Sequence, residues 1–305
     1  MIARVRKAVF PVAGLGVRLL PATRAIPKEM MTVVDRPVIH YVVEEARAAG
    51  IEHFILVTGR NKAVIEDYFD VQTEIEQALR GKGAEKEKEL ERLRRDLPQP
   101  GTMSFTRQQQ PLGLGHAVWC ARELVGNEPF AVLLPDMLMA AEPGCLAQMV
   151  AAYNETGGNL LAVEECDPAR TDQYGIVGVG ETVGQGFRIT SMVEKPKPAT
   201  APSNLFINGR YILHPEIFNL LGEHRRGVGG EIQLTDAMIA LSAKQPFYGF
   251  RYKGRSYDCG SKAGLLQANV AFALARSDIG PGLADEMRSL LSRYGSKDED
   301  VPRSA

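Results

Sequence analysis

Between Gly14 and Lys28 the chain reads GLGVRLLPATRAIPK, with two glycines one residue apart and the cations Arg18, Arg24 and Lys28 following. The stretch comes directly after a short apolar run, Lys7–Ala13 (KAVFPVA). Glycine has no Cβ, so backbone N–H groups there can approach an anion closely. Arg18 and Lys28 bring positive charge to the same place, while Pro21 and Pro27 stiffen the segment and prevent one continuous helix. The carboxyl end of a strand is also where open α/β sheets bind ligands. The chemistry this suits is holding the phosphates of a nucleotide. Two other phosphate loops do not fit. The dinucleotide fingerprint needs a third glycine where Leu19 stands, although Asp35 lies about twenty residues on, at the place of the ribose-binding acid. The spacing GxxxxGK[ST] does not occur.

Other residues of catalytic type are scattered further along. Asp136 ends the apolar run LLPD, Asp258 lies in YDCG, Glu194 and Lys195 are adjacent in VEKPKP, and Gln108 follows a strand-like run. Each has an ordinary reading: a strand-end Asp is often a helix cap, and a lone amide is often only polar filling. Glu231 in GEIQLTD is a weaker candidate that could equally cap the helix that follows, and His116, in the first turn of an expected helix, reads as structural or as support for a neighbour that meets ligand. No Ser/His/Asp or Cys/His set stands out. Transfer to an acceptor that is itself a phosphate would not require one, because a phosphate oxygen is already ionised at pH 7, its second pKa being about 6. Positioning, cations and a metal ion suffice.

The elements that must carry these residues alternate strand and helix. Pro37–Gly50 is amphipathic and stopped by glycine, His53–Gly59 is a strand, Lys62–Phe69 begins a helix, and Met103–Gln108 and Ala131–Asp136 are strands around helical Gly115–Val125. This predicts an α/β, Rossmann-like fold: a mixed, mostly parallel central sheet flanked by helices. From Leu160 to Tyr252 closely spaced strand-like runs predict added strands and a small β excursion. The expected organisation is a catalytic unit over 1–260 with a charged surface helix over 84–96. A C-terminal helical segment, 261–295, would serve oligomerisation, and a flexible tail would follow over 296–305.

Composition narrows the class. The 305 residues are 45% hydrophobic and 24% charged with a net charge of −1, so no broad basic field favours nucleic acid. No apolar run approaches the roughly 18 residues of a membrane span, and the N-terminal run reads as a strand rather than a leader. Cys120, Cys145, Cys166 and Cys259 lack metal spacing and read as buried thiols of a reducing cytoplasm.

The stretch GLGVRLLPATRAIPKEM resembles the signature of the sugar-phosphate nucleotidylyltransferases. The likeness continues in order through RQQQPLGLGHAV (107–118), LLPD (133–136), YGIVGVG (174–180), VEKPKPATAPSN (193–204), GRYIL (209–213), GEIQLTDA (230–237) and YDCGSKAG (257–264). The resemblance implies Mg²⁺-dependent transfer of UMP from UTP to glucose 1-phosphate, giving UDP-glucose and pyrophosphate, by a homodimer or homotetramer. It places the backbone of Ala13, Gly14, Leu15 and Gly16 on the nucleotide and Arg18 and Lys28 on its phosphates. Gln108, Gly113 and Gly115 would meet the base. Gly175, Glu194, Lys195, Ile207 and Glu231 would meet the sugar phosphate, with Asp136 and Asp258 as Mg²⁺ ligands. Neighbouring strand residues face opposite ways, so Glu194 and Lys195 need a local distortion that Pro196 could supply. Two rivals stand beside this expectation: thymidylyl transfer from dTTP, which differs in the nucleotide only by a methyl and a 2′-hydroxyl, and a regulatory protein that binds nucleotide sugars without turnover.

Overall fold

A computed structural model describes residues 2–295; the tail expected over 296–305 lies outside the described residues. The strands are β1 (Lys7–Pro11), β2 (Thr32–Val33), β3 (Arg36–Pro37), β4 (His53–Thr58), β5 (Met103–Arg107), β6 (Phe130–Leu133), β7 (Met137–Ala140), β8 (Asn159–Glu165), β9 (Gly175–Val183), β10 (Gly186–Glu194), β11 (Leu205–Leu213), β12 (Phe247–Phe250) and β13 (Arg255–Asp258). Nine of them form one sheet in the order β5-β4-β1-β6-β11-β8-β12-β10-β9. The β5-β4-β1-β6 side is parallel, with Lys7 opposite both His53 and Phe130. β11 then enters antiparallel to β6 and β8, β8 and β12 are parallel, and β10 pairs antiparallel with β12 and β9. The neighbouring pairs therefore divide evenly, and the sheet is mixed rather than mostly parallel.

Side chains alternate across β1, and both faces are covered. Ala8 and Phe10 join Ile39, Val42, Leu56, Leu146 and Met149 on one face. Val9 joins Ile55, Val57, Val118, Phe130 and Met238 on the other. Burial on both faces is why these central strands read as unbroken apolar runs. The first helix is Val38–Ala48, and the charged helix falls on Ala84–Asp96 with only Leu90 buried.

Three stretches depart from the sequence expectation. The single helix expected over Gly115–Val125 is two, Leu114–Trp119 and Arg122–Val125. The stretch from Leu160 to Tyr252 contains the helices Ile217–Leu221 and Leu234–Ser242 between its strands. Cys145–Thr156, not singled out by periodicity, is also helical. At the C-terminal end, Lys262–Leu274 packs Leu265, Ala268 and Phe272 into the core, and Asn269 accepts a hydrogen bond from the Val34 backbone N–H at 2.9 Å. The helix Gly280–Gly295 follows. Among the described residues no helix is long and apolar enough to cross a membrane.

Candidate active site

The glycine loop leaves β1 at the carboxyl edge of the sheet. Gly16 sits in the left-handed region (φ 70°), and a Cβ there would stand 3.1 Å from both Thr23 and Lys28 side chains. The position needs glycine for conformation and for space. Thr23 Oγ1 donates to the Gly16 carbonyl at 2.8 Å and ties the far limb of the loop back to it. Arg18 lies in a short 3-10 turn, Val17–Leu19, and Lys28 opens another, Lys28–Met30. The Lys28 ammonium passes over Gly14, whose Cβ would meet Lys28 Nζ at 3.7 Å.

The two acids reach the loop through a small antiparallel ribbon. β6 ends at Leu133, a turn carries Pro135 and Asp136, and β7 pairs with β13 so that Asp258 stands opposite Met137. The Cys259 N–H then donates to the Asp136 carbonyl at 2.8 Å. Lys28 Nζ is 2.6 Å from Asp136 Oδ2, Arg18 Nη1 is 2.9 Å from Asp258 Oδ2, and Arg18 Nη2 is 4.0 Å from Asp136 Oδ2. Burial opposes the charged form of Asp136, but Lys28 and then Arg18 outweigh it and hold the carboxyl below the usual carboxylate range. Burial likewise opposes charge on Lys28, and Asp136 outweighs it, so the ammonium is held above its ordinary value. A Cβ on Gly260 would meet Arg18 Nη2 at 2.6 Å, Asp136 Oδ2 at 2.8 Å and Asp258 Oδ1 at 3.0 Å. Glycine at 260 therefore makes the space that both carboxylates border. Two carboxylates facing one space, with substrate phosphates to complete the shell, are the donor set by which Mg²⁺ is usually held.

Behind this cluster sit two buried ion pairs that the sequence did not reveal. Arg210, fully buried on β11, meets Glu45 Oε2 at 2.7 Å and donates to the carbonyls of Leu134 at 3.1 Å and Met137 at 2.8 Å. Lys62 Nζ donates to Glu29 Oε2 at 2.7 Å, with both side chains buried next to Lys28. Burial pushes the Glu29 carboxyl up and the Lys62 ammonium down, against their mutual attraction. Asp35 lies elsewhere: it pairs with Arg276 at 2.5 Å. The ribose-acid coincidence therefore has no counterpart at the loop.

A cavity of about 390 Å³ brings Ala13, Gly14, Leu15, Gly16 and Lys28 together with Gln108, Gly113, Asp136 and Glu231. Gln108 Nε2 donates to the Gly113 carbonyl at 2.9 Å. Gly113 has φ 105°, and a Cβ there would come within 2.7 Å of Glu231 Cβ. Gly115 faces away from the cavity: its Cβ would stand 2.8 Å from both the Ile232 carbonyl and Leu221 Cδ2. Its smallness serves packing against the 231–233 segment, not approach to a base. Glu231 does not cap the helix Leu234–Ser242, whose N-cap is Gln233.

The residues expected at the sugar gather beside β11. A Cβ on Gly175 would meet Glu194 Oε2 at 3.2 Å and Ile207 Cδ1 at 3.4 Å, so all three share one spot. Lys195 has φ 50°. The backbone distortion thus lies at Lys195 itself, one residue before Pro196, and Lys195 Nζ is 3.9 Å from Glu194 Oε1. Tyr211, buried between these halves, feels both: burial first, then Glu194 and Asp136, push its hydroxyl up.

Comparison with known proteins gives the family. A family model described as nucleotidyl transferase matches residues 7–274. The chain belongs to that family, whose members catalyse nucleotidyl transfer. Within it the chain is similar to UTP–glucose-1-phosphate uridylyltransferases. It is 48% identical to that of Komagataeibacter xylinus over 262 residues, covering 86% of this chain and 92% of the relative. A structure titled UTP-bound UGPase from Acinetobacter baumannii superposes with a TM-score of 0.86 at 43% identity, covering 94% of this chain and 99% of that one. Another, of UDP-glucose pyrophosphorylase complexed with UDP-glucose, gives 0.79 at 41% identity over 89% of this chain and all of that one.

Proposed function

We propose that the chain transfers UMP from UTP to glucose 1-phosphate, releasing pyrophosphate and forming UDP-glucose, with Mg²⁺ as its cofactor. The observation that carries this is the convergence of Lys28, Arg18, Asp136 and Asp258 on the glycine loop, whose cavity also includes Gln108. Gly14, Leu15 and Gly16 offer backbone N–H groups to the triphosphate, and Arg18 and Lys28 offset the charge that builds on the departing pyrophosphate. The sugar phosphate, already ionised, attacks the α-phosphorus in line without a general base. Lys195 holds that phosphate, and Glu194 accepts hydrogen bonds from the sugar hydroxyls beside Gly175 and Ile207. Asp136 and Asp258 would hold Mg²⁺, which neutralises charge between the two polyanions when bound.

The name of the Komagataeibacter relative and the UTP and UDP-glucose complexes of the solved neighbours support these substrates. The reading places the enzyme in the cytoplasm as a homodimer or homotetramer. A methyl on the base shifts preference only about 10–200-fold, so dTTP serves as a slower donor. Asp136→Asn and Lys195→Ala are expected to abolish turnover in protein that keeps its circular dichroism and melting transition. Wild-type protein that binds UDP-glucose yet never turns over would replace this reading with the regulatory one.

A further inference from the structure

Gln108 is held in one orientation, and what holds it is not a ligand. Its Nε2 lies 2.9 Å from the Gly113 carbonyl and 3.1 Å from His116 Nδ1. A backbone carbonyl only accepts, so the amide nitrogen must face Gly113. The second N–H then points at His116 Nδ1, which must offer a lone pair, so the ring carries its proton on Nε2. Both hydrogens of the amide are used. Gln108 Oε1 takes no hydrogen bond from the described residues. Among the described residues the buried side-chain polar atoms without a partner are Glu29 Oε1, Asn208 Oδ1 and His214 Nε2. Gln108 Oε1 is not one of them although the residue is only 8% exposed, so this oxygen opens towards the cavity that Gln108 lines.

His116 is fixed in turn. Its ring stacks on Trp119 (centroids 5.8 Å, 27°) and meets the His224 ring edge-on at 5.5 Å. Arg122 covers Trp119 at 3.8 Å. Cys120 Sγ is 3.9 Å from the same Nδ1 and is the weaker partner by distance. Burial and then His224 lower the His116 pKa, which keeps the lone pair available. The Gly113 carbonyl is anchored by the neighbouring bonds from Ile232 N to Leu112 O at 2.7 Å and from Gly115 N to Ile232 O at 2.8 Å.

We propose that His116 is a positioning residue for nucleobase choice: by accepting from Gln108 Nε2 it presents Gln108 Oε1 to the base as an acceptor only. This rests on the nucleotidyl-transfer reading above. An acceptor suits a base whose ring nitrogen N3 carries a proton, as in uracil or thymine. Cytosine offers a lone pair at N3 and meets the oxygen acceptor to acceptor. Discrimination at Gln108 is therefore between imide bases and cytosine, and leaves UTP and dTTP alike at this contact. Without the His116 acceptor only the Gly113 carbonyl still holds the amide nitrogen, so the turned amide, which offers an N–H to the base, loses less and is reached more readily.

The test is steady-state kinetics of the full-length protein with UTP and CTP, glucose 1-phosphate and Mg²⁺. His116→Phe keeps a ring against Trp119 and removes the acceptor. It is expected to raise KM for UTP with kcat little changed, and to shrink the UTP-over-CTP ratio of kcat/KM roughly tenfold or more. His116→Asn, which puts an amide oxygen near the Nδ1 position, is expected to recover most of both. A folded His116→Phe protein with the wild-type ratio overturns the proposal. Should that variant not fold, His116→Gln, which carries its polar atoms one bond too far, is expected to show the same loss, and the wild-type ratio there overturns it equally. Wild-type protein without UTP turnover would instead defeat the function on which the proposal rests.

Discussion

Arg210 Nη2 lies 2.7 Å from Glu45 Oε2, and the same guanidinium donates to the carbonyls of Leu134 and Met137 on either side of Asp136. Glu45 Oε1 also accepts from the Leu146 N–H at 3.0 Å. One buried ion pair thus joins the first helix, β11 and the turn that aims Asp136. Removing one partner of such a pair leaves an uncompensated buried charge and costs about 3–5 kcal/mol. Glu45→Leu is expected to lower the urea midpoint accordingly. In the protein that remains folded, kcat should fall more than KM for UTP rises, because Asp136 loses its aim while the glycine loop stays intact.

Lys28 touches Asp136 and lies over Gly14. Lys28→Met keeps most of the side-chain volume and removes the charge. Loss of one donor to developing charge is worth about 3–4 kcal/mol, or roughly a hundred- to a thousand-fold in kcat. Arg18→Lys keeps a charge but loses the guanidinium fork that reaches both acids, and an intermediate loss is expected. Pyrophosphate-release rates at saturating substrate give both values.

His40 supplies a pH dependence of stability remote from the cation–acid cluster. Its Nε2 is 2.9 Å from Arg36 Nη1 and its Nδ1 is 3.0 Å from the Tyr68 hydroxyl. Burial, followed by the Arg36 charge, lowers its pKa to about 4. A histidine with a depressed folded pKa contributes fully above its unfolded value of about 6.5, and the contribution is lost as pH falls towards 4. The change amounts to roughly 3 kcal/mol across that window. Denaturant midpoints measured from pH 7 to pH 4.5 should fall, and His40→Gln, which does not titrate, should flatten that part of the slope.

Gly115 is a packing glycine. Alanine there would place a methyl 2.8 Å from a backbone carbonyl that has little freedom to retreat. Overpacking of this kind costs about 1–3 kcal/mol. Gly115→Ala is expected to lower the melting temperature while KM for UTP changes little, in contrast to substitutions at Gln108.

The residue types at the site were legible because their chemistry is local. Two glycines after a strand and a cation two residues later announce themselves by spacing, whereas Asp136 closing an apolar strand reads as an ordinary cap until the resemblance is added. Their convergence was not legible from spacing. Asp258 reaches Asp136 only because β13 pairs with β7, and the pairing of Arg210 with Glu45 links residues far apart in the chain. Both are long-range choices that periodicity does not encode. The helix Cys145–Thr156 was missed because it follows Gly144 without a side-chain cap and mixes small and polar residues. Lys195 shows the opposite case. The need for a distortion was deduced from strand alternation, and its place was off by one residue, since a left-handed lysine leaves no mark in sequence.

The central claim is tested most directly by a matrix of nucleoside triphosphates against sugar 1-phosphates, with Mg²⁺, read as pyrophosphate released and nucleotide sugar formed. The account predicts the highest kcat/KM for UTP with glucose 1-phosphate, one UDP-glucose per pyrophosphate, and no product from Asp136→Asn protein. Absence of pyrophosphate release from UTP and glucose 1-phosphate across varied metal and pH would contradict it.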